Sequence, residues 1–199
     1  MSSQFSSTHD PIDIALREDL GDGDLTAQFF VDAARTSQAR IFAKEPCVLA
    51  GGTVAAEVFR RLDPALEIEV ERADGESLYP GDTVLHVAGQ TRAILSAERV
   101  ALNFVQRLSG VATLTRRFVE AVGGHRAKIL DTRKTSPGLR ALEKAAVVSG
   151  GGVNHRFGLY DMVMVKDNHL AADAGLDHLA QAVQAFRAAH PDKRVELEA

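Results

Sequence analysis

The alternation of apolar and polar residues divides the chain into two parts with different patterns. In the first part, short helices and strands are mixed. Helices are predicted at residues 11–20 and 51–62, and strands at 38–49 (interrupted at Pro46), 65–72 and 83–90. Such a mixture is typical of an α+β domain, which we place at residues 1–110 together with its linking helix.

Three short apolar runs recur at a fixed spacing in the second part of the chain. They begin near Lys128, Asp161 and Arg194, 33 residues apart in each case. Each has the length and side chains of a strand that is buried on both faces. The spacing fits a strand, a crossover helix and a parallel strand, with helices expected at 139–149 and 180–189. Residues 111–199 are therefore predicted to form part of a parallel α/β sheet or barrel.

The segment between these parts, residues 91–122, has a helical pattern. Ser109-Gly110 predicts a break into two helices. One face is apolar at helical spacing and comprises Ile94, Ala97, Ala101, Val105 and Leu108. The opposite face is polar and comprises Arg92, Arg99, Asn103 and Gln106. Arg99 is therefore expected to point away from the core of its own subunit, where the simplest reading is a solvated side chain.

Charge and composition narrow the class of protein. The net charge is −4 and both signs are interspersed, which argues against general nucleic-acid binding. A single cysteine, Cys47, excludes an intrachain disulfide and favours an intracellular location. No apolar run approaches the roughly 20 residues that span a bilayer, and the Ser-rich first ten residues lack the core of a signal peptide. We therefore expect a cytoplasmic protein with no membrane or nucleic-acid partner.

Polar side chains stand where the apolar runs of the second part end. Thr132, Arg133 and Lys134 follow the first run, and Lys166, Asp167, Asn168 and His169 follow the second. His155 and Arg156 lie in the loop that leads into the second run. Parallel strands carry their C-terminal ends on one rim, so these residues are expected to converge. Four of them, Arg133, Lys134, Arg156 and Lys166, would form a cationic pocket for a small, multiply anionic ligand.

Several long strings in the chain closely resemble quinolinate phosphoribosyltransferases, the carboxylating nicotinate-nucleotide pyrophosphorylases. They are DTRKTSPGLR, the His-Arg pair within GGVNHRFGLYD, and MVMVKDNH, and the resemblance extends from LREDLGDGDLTA to the closing VELE. It implies an N-terminal α+β sandwich domain followed by a type II phosphoribosyltransferase α/β barrel. A closed barrel needs about eight strands. Because only about three strand–helix units are present, we expect the chain to be truncated within its barrel.

The resemblance also implies a reaction and the residues that carry it. Phosphoribosyl diphosphate and quinolinate would give nicotinate mononucleotide, CO2 and diphosphate with Mg²⁺, a step of de novo NAD biosynthesis. Arg133 and Arg156 would bind the carboxylates of quinolinate, while Thr132 and His155 would hydrogen-bond the same substrate. The lysines that reach phosphoribosyl diphosphate are Lys134 and Lys166, and Lys166 would also lie close to quinolinate.

A metal site and a dimer follow from the same resemblance. Glu196 matches the carboxylate that meets the metal or the sugar hydroxyls, and a further metal-binding aspartate would lie beyond the chain end. Glu198 faces the same side of the strand and is a less certain companion. The string ERVALN matches the segment that supplies an arginine across a homodimer interface, so Arg99 is expected to reach the neighbouring active site. Asn168 and His169 are expected to support the rim.

Other functions remain open at this point. Lys166 at the end of a barrel strand also suits a Schiff-base aldolase. A nicotinate-using phosphoribosyltransferase would need no partner for a second carboxylate, and the His155-Arg156 pair favours quinolinate over nicotinate. A non-catalytic fragment or paralogue is the third alternative, and the 199-residue chain is expected to be inactive alone if the remaining strands are absent.

Overall fold

The computed structural model describes residues 10–172 and 175–198, which fall into two compact units. The first unit extends to Asn154 and the second begins at His155. Elements of the first unit are α1 (Pro11–Leu20), α2 (Leu25–Phe30), β1 (Thr36–Phe42), β2 (Cys47–Val48), α3 (Gly52–Leu62), β3 (Glu67–Val70), β4 (Ser77–Leu78), β5 (Thr83–Gln90), α4 (Thr91–Ala121) and α5 (Arg140–Ser149). Elements of the second unit are β6 (Val163–Val165), α6 (Asp167–Ala172), α7 (Gly175–Ala189) and β7 (Val195–Leu197).

An antiparallel sheet in the order β1-β5-β3 forms one layer of the first unit, and β2 pairs with β4 separately. Leu85 and Val87 on β5 are buried and belong to the same core as Phe59 of α3 and Ala97 of α4. Between them, His86 faces solvent, because successive side chains of a strand point to opposite faces. Helices therefore cover one face of the sheet, as the predicted α+β pattern requires.

Helix α1 begins and ends where its flanking residues predict. The Asp10 side chain accepts a hydrogen bond from the Ile12 N–H at 2.8 Å, and Gly21 at the other end has φ of 51°. Arg61 of α3 donates to both Asp10 and Asp13, at 3.0 and 2.8 Å. The Arg61 hydrogen bond lowers the pKa of Asp10 below its usual range. Charged groups thus join α1 to α3 at the surface.

The GDGDLTA string contains the cap and the start of α2, a helix that the sequence pattern did not predict. The Asp24 carboxylate accepts the Ala27 N–H at 2.9 Å and the Ser96 hydroxyl of α4 at 2.7 Å. The other end of α2 is held by Arg92, which donates to the carbonyls of Gln28 (3.0 Å) and Val31 (2.6 Å). Arg92 was expected on the solvent face of its helix, but these carbonyls leave it half-buried.

Substituting Asp24 with alanine is expected to lower the free energy of unfolding by about 1–2 kcal/mol, since the helix cap is lost together with the bond from Ser96. The Ala27 N–H and the Ser96 hydroxyl hold the pKa of Asp24 below its usual 3.8. A depressed pKa means that this stabilisation is present above pH 3.8 and fades as the pH falls through the lower folded value. Urea unfolding of parent and variant at neutral and acidic pH would measure both effects. The exposed neighbour Asp22→Ala is the control, and an equal loss there would contradict the assignment.

Helix α4 is continuous, so the predicted break at Ser109-Gly110 is wrong. Ser109 is buried, and its hydroxyl accepts from the Ala50 N–H (3.1 Å) and donates to the Ala50 carbonyl (3.2 Å). A glycine inside a helix costs only about 1 kcal/mol relative to alanine, which the burial of the flanking Leu108 and Ala112 offsets. The predicted apolar face is confirmed: Ile94, Ala97, Ala101, Val105 and Leu108 are all buried. The domain boundary expected near residue 110 falls within this helix and stays a prediction.

The strands of the second part are parallel, as their spacing predicts. Strands β6 and β7 pair in register from Val163 with Val195, and α6 and α7 lie between them in the chain. The run at 128–132 is reduced to a single parallel bridge between Leu130 and Val153, whose connection includes α5. Helix α6 was not predicted, and α7 begins at Gly175, earlier than the apolar pattern indicated. None of the helices within 10–172 and 175–198 has the length and apolar character needed to cross a bilayer.

Candidate anion-binding site

Arg133 is the most informative side chain of the first unit's candidate residues. It follows the extended segment that carries the Leu130–Val153 bridge and is half-buried. Its Nε is enclosed by protein and has no hydrogen-bond acceptor among the residues that the structure describes. Leaving a buried donor unsatisfied costs about 1–3 kcal/mol, and more for a charged group. The cation is therefore placed to receive an anionic ligand.

The neighbours of Arg133 form a short turn. The Lys134 N–H donates to Thr132 Oγ1 at 3.1 Å, and the side chains of both residues are exposed. An exposed lysine beside a half-buried arginine extends the positive surface toward solvent. This arrangement suits a ligand with more than one negative group.

Two buried charged residues of α5, missed at the sequence level, support this turn. Lys144 forms an ion pair with Asp131, with side chains only 3% and 5% exposed. Glu143 accepts hydrogen bonds from Ser136 and Arg107. Burial alone would raise the pKa of Glu143, but the hydrogen bonds from Arg107 and Ser136 outweigh it and lower the pKa. One signal in the sequence could have indicated their burial: Glu143 and Lys144 lie on the helix beside Leu142 and Ala146, which pack against the core.

Arg156 is the corresponding buried cation of the second unit. Its Nη1 lies 3.5 Å from the Met162 carbonyl and its Nη2 lies 3.4 Å from the Met164 sulfur. A long contact to a carbonyl and a contact to a thioether are weak compensation for a buried guanidinium. Arg156, like Arg133, can therefore gain from a carboxylate ligand.

Two carboxylates and two basic groups meet at the ends of β6 and β7. His155 Nε2 lies 2.8 Å from Glu196 Oε2, and the Lys166 ammonium pairs with the Glu198 carboxylate. The parallel register sets Glu196 beside Met164, and the Glu198 N–H donates to the Val165 carbonyl at 2.9 Å. The structure thus pairs His155 and Lys166, two of the residues expected on the rim, with the two carboxylates that were expected on one side of the last strand.

The remaining predicted residues occupy separate positions. Arg99 lies exposed on α4 and points away from the core, as its helical spacing indicates. The Lys166 N–H donates to His169 Nδ1 at 3.0 Å, so His169 closes the first turn after β6. Asn168 is exposed. The expected pocket of Arg133, Lys134, Arg156 and Lys166 draws on both units, and its convergence stays a prediction.

The carboxylates of β7 are compatible with a magnesium ion. Within the described ranges, no cluster of three or more His, Cys, Asp or Glu side chains could hold a metal by itself. Mg²⁺ commonly keeps several waters and is bound through one or two carboxylates plus substrate phosphates. Glu196 of β7 and Glu198 directly after it, both with exposed side chains, can supply such a partial set.

Comparison with known proteins gives matches along almost the whole chain. Residues 24–109 match the N-terminal domain, and residues 111–199 the C-terminal domain, of quinolinate phosphoribosyl transferase. The chain is 45% identical over 176 residues to quinolinate phosphoribosyltransferase [decarboxylating] 1 of Nicotiana glauca, covering 88% of this chain and 50% of that protein. A probable nicotinate-nucleotide pyrophosphorylase [carboxylating] of Bacillus subtilis is 45% identical over 181 residues, which are 91% of this chain and 62% of the relative.

A solved structure gives a similar result for the fold. The crystal structure of NadC from Streptococcus pyogenes matches with a TM-score of 0.88 and 44% identity, over 96% of this chain and 67% of that one. A mixed α/β fold with both domains represented is therefore established. The chain spans between half and two thirds of the length of these relatives.

Proposed function

The chain belongs to the quinolinate phosphoribosyltransferase family, and we propose that it serves the transfer of a phosphoribosyl group from phosphoribosyl diphosphate to quinolinate. The products are nicotinate mononucleotide, CO2 and diphosphate, in de novo NAD biosynthesis. The buried Nε of Arg133, which has no acceptor among the described residues and lies within the string DTRKTSPGLR, is the observation that carries the proposal. Residues 111–199 supply part of a type II α/β barrel, which the parallel pairing of β6 with β7 supports.

Quinolinate is a dicarboxylate, so its binding requires two cationic partners. Arg133 and Arg156 take this role, since both guanidinium groups are at least half-buried and have few or weak protein acceptors among the described residues. A planar guanidinium can hold a carboxylate through two parallel hydrogen bonds. Thr132 and His155, next to these arginines in the chain, hydrogen-bond the same substrate.

Phosphoribosyl diphosphate brings a second set of negative charges. Lys134, exposed beside Arg133, and Lys166, paired with Glu198, bind its phosphates. Glu196 would hold Mg²⁺ together with those phosphates, and the bound ion would neutralise the diphosphate as it leaves. Without these cations, the charges of the two substrates would repel each other strongly.

Catalysis then consists of positioning and charge neutralisation. Lys134 and Lys166 stabilise the departing diphosphate while the ribosyl carbon develops positive charge and the pyridine nitrogen attacks it. Ribosylation converts the ring into a pyridinium, which stabilises the carbanion left at the ring carbon when the adjacent carboxylate departs as CO2, and a proton from water then takes the place of the carboxylate. No protein nucleophile is required, and the arginines fix the ring in the attacking orientation.

The proposal is tested by measuring the affinities for quinolinate and nicotinate by calorimetry, together with an assay of CO2 release. We expect quinolinate to bind at least about tenfold more tightly than nicotinate, because nicotinate leaves one buried arginine unpaired. Equal affinities would support a nicotinate-using enzyme. Trapping of a substrate on Lys166 by borohydride would support an aldolase, and the absence of any binding would support a non-catalytic paralogue.

The proposal includes a homodimer in which Arg99 reaches the partner's active site. Arg99 is exposed on α4, one turn after the exposed Leu95. The adjoining helix α2 presents Leu25, Phe29 and Phe30, which are 70%, 78% and 85% exposed. Contiguous exposed apolar side chains mark interaction surfaces on folded proteins. A second copy of the chain would cover them and place Arg99 at the interface.

Arg99→Ala is expected to reduce turnover while leaving the free energy of unfolding within about 0.5 kcal/mol of the parent, because the side chain is exposed. If Arg99 acts across the interface, mixing the Arg99→Ala protein with an Arg133→Met protein should restore part of the activity. Random exchange of subunits would leave about a quarter of all active sites with both arginines intact. Arg117→Ala, an exposed arginine of the same helix, is the matched control. If the mixture is no more active than the two variants measured separately, a site shared between subunits is excluded.

A further inference from the structure

Two adjacent residues of α5, Glu143 and Lys144, hold opposite ends of the segment 131–136. Glu143 binds Ser136 at one end, and Lys144 binds Asp131 at the other. Both α5 side chains are buried, at 7% and 2% residue exposure. The middle of the segment carries the residues assigned to substrate.

The Glu143 end is fixed by several hydrogen bonds to one carboxylate. Its Oε2 accepts the Ser136 N–H at 3.0 Å, and its Oε1 accepts the Ser136 hydroxyl at 2.8 Å. Arg107 of α4 donates to the same Oε1 through Nε and Nη2, at 3.2 and 2.8 Å, and its Nη2 reaches Ser136 Oγ at 2.8 Å. The end of the segment is thus tied to two helices at once.

The Lys144 end is fixed by a buried ion pair. Lys144 Nζ lies 2.5 Å from Asp131 Oδ1, and the Asp131 N–H donates to the Val153 carbonyl at 3.1 Å. With its amide oriented to satisfy both groups, Asn154 donates to Asp131 Oδ2 at 2.6 Å and to the Lys144 carbonyl at 3.0 Å. Such a network costs desolvation, and in return it specifies one conformation of the groups it joins.

We propose that Glu143 and Lys144 are positioning residues that clamp the segment 131–136 and so hold the Arg133 guanidinium ready for its ligand. The clamp stands on the contacts of the first unit, whereas the identity of the ligand rests on the proposed function. Because the buried Arg133 Nε lacks an acceptor among the described residues, the side chain would turn toward solvent or a nearby oxygen if its main chain were free to move. Fixing the segment at both ends prevents that relaxation and reduces the ordering cost of binding.

Limited trypsin digestion tests the clamp without any ligand. The bonds after Arg133 and Lys134 lie within the clamped segment, and the bond after Arg117 in α4 reports opening of the helix. In Glu143→Ala, cleavage after Arg133 and Lys134 relative to Arg117 is expected to rise about tenfold, because local opening follows loss of the charge-assisted hydrogen bonds. Glu143→Gln, which keeps an acceptor for Ser136, should restore much of the protection. Glu120→Ala, an exposed glutamate of α4, should match the parent.

Quinolinate affinity of the same variants tests the positioning role. We expect a roughly 10–100-fold loss in Glu143→Ala, in line with the cost of misplacing a binding group, and partial rescue in Glu143→Gln. Parent-like cleavage ratios would overturn the clamp, whether or not affinity falls. Faster cleavage with unchanged affinity would overturn its role toward the ligand. If the parent itself binds no quinolinate, the proposed function fails, while the cleavage ratios still decide whether the clamp exists.

Discussion

Replacing Arg133 with methionine is expected to weaken quinolinate binding by about 2–5 kcal/mol, at least about thirtyfold, because a buried carboxylate of the ligand would lose its charged partner. The free energy of unfolding should stay the same or rise, since the substitution removes a buried N–H that has no acceptor among the described residues. Arg133→Lys keeps the charge but not the planar fork, so its affinity should lie between those of parent and methionine variant. Calorimetric titration and urea unfolding would measure the two effects.

The exposed Arg126 provides the control for Arg133, because Arg126→Met removes one positive charge at the surface of the same unit. Its affinity for quinolinate is expected to match that of the parent. If Arg133→Met loses both quinolinate binding and much of its stability, Arg133 has a structural role. If quinolinate binding is unchanged, Arg133 is not part of the binding site.

Lys144→Met is expected to have the largest effect on stability, about 3–5 kcal/mol, because it leaves the Asp131 carboxylate buried without its cation. Removing both charges in Asp131→Leu/Lys144→Met should restore most of the stability, since well-packed apolar residues can replace a buried ion pair at little cost. The midpoint and slope of urea unfolding, followed by circular dichroism, would give these values.

Lys128→Met is the control, because it removes an exposed lysine near the same segment. It tests whether loss of a lysine here lowers the free energy of unfolding whether or not that lysine is buried. A change within about 0.5 kcal/mol is expected there. If the double variant is as unstable as Lys144→Met alone, Lys144 does not stabilise the protein through its ion pair with Asp131.

The features predicted correctly from the sequence were those with local causes. The bounds of α1 and the apolar face of α4 depend on residues within a few positions of each other, so their patterns are readable in the sequence. The parallel pairing of β6 with β7 joins residues far apart in the chain, but the 33-residue spacing of the apolar runs predicts it.

The features that were missed depend on tertiary contacts. Ser109-Gly110 has the local character of a helix break, and only the hydrogen bonds to Ala50 show why the helix continues. Likewise, Glu143 and Lys144 have the sequence character of a solvated helix face. Their partners Ser136 and Asp131 lie before the helix begins, across a turn whose conformation the sequence does not specify.

The attachment of α2 has a consequence for how this surface can change. Polar groups secure the helix at both ends, with Asp24 meeting Ser96 and Arg92 meeting main-chain carbonyls, while Phe29 and Phe30 project outward. Every residue has a main-chain carbonyl oxygen, so the hydrogen bonds from Arg92 to α2 do not depend on which side chains the helix carries. Substitutions of Phe29 and Phe30 can therefore change the surface that α2 presents to solvent without removing the hydrogen bonds that attach the helix.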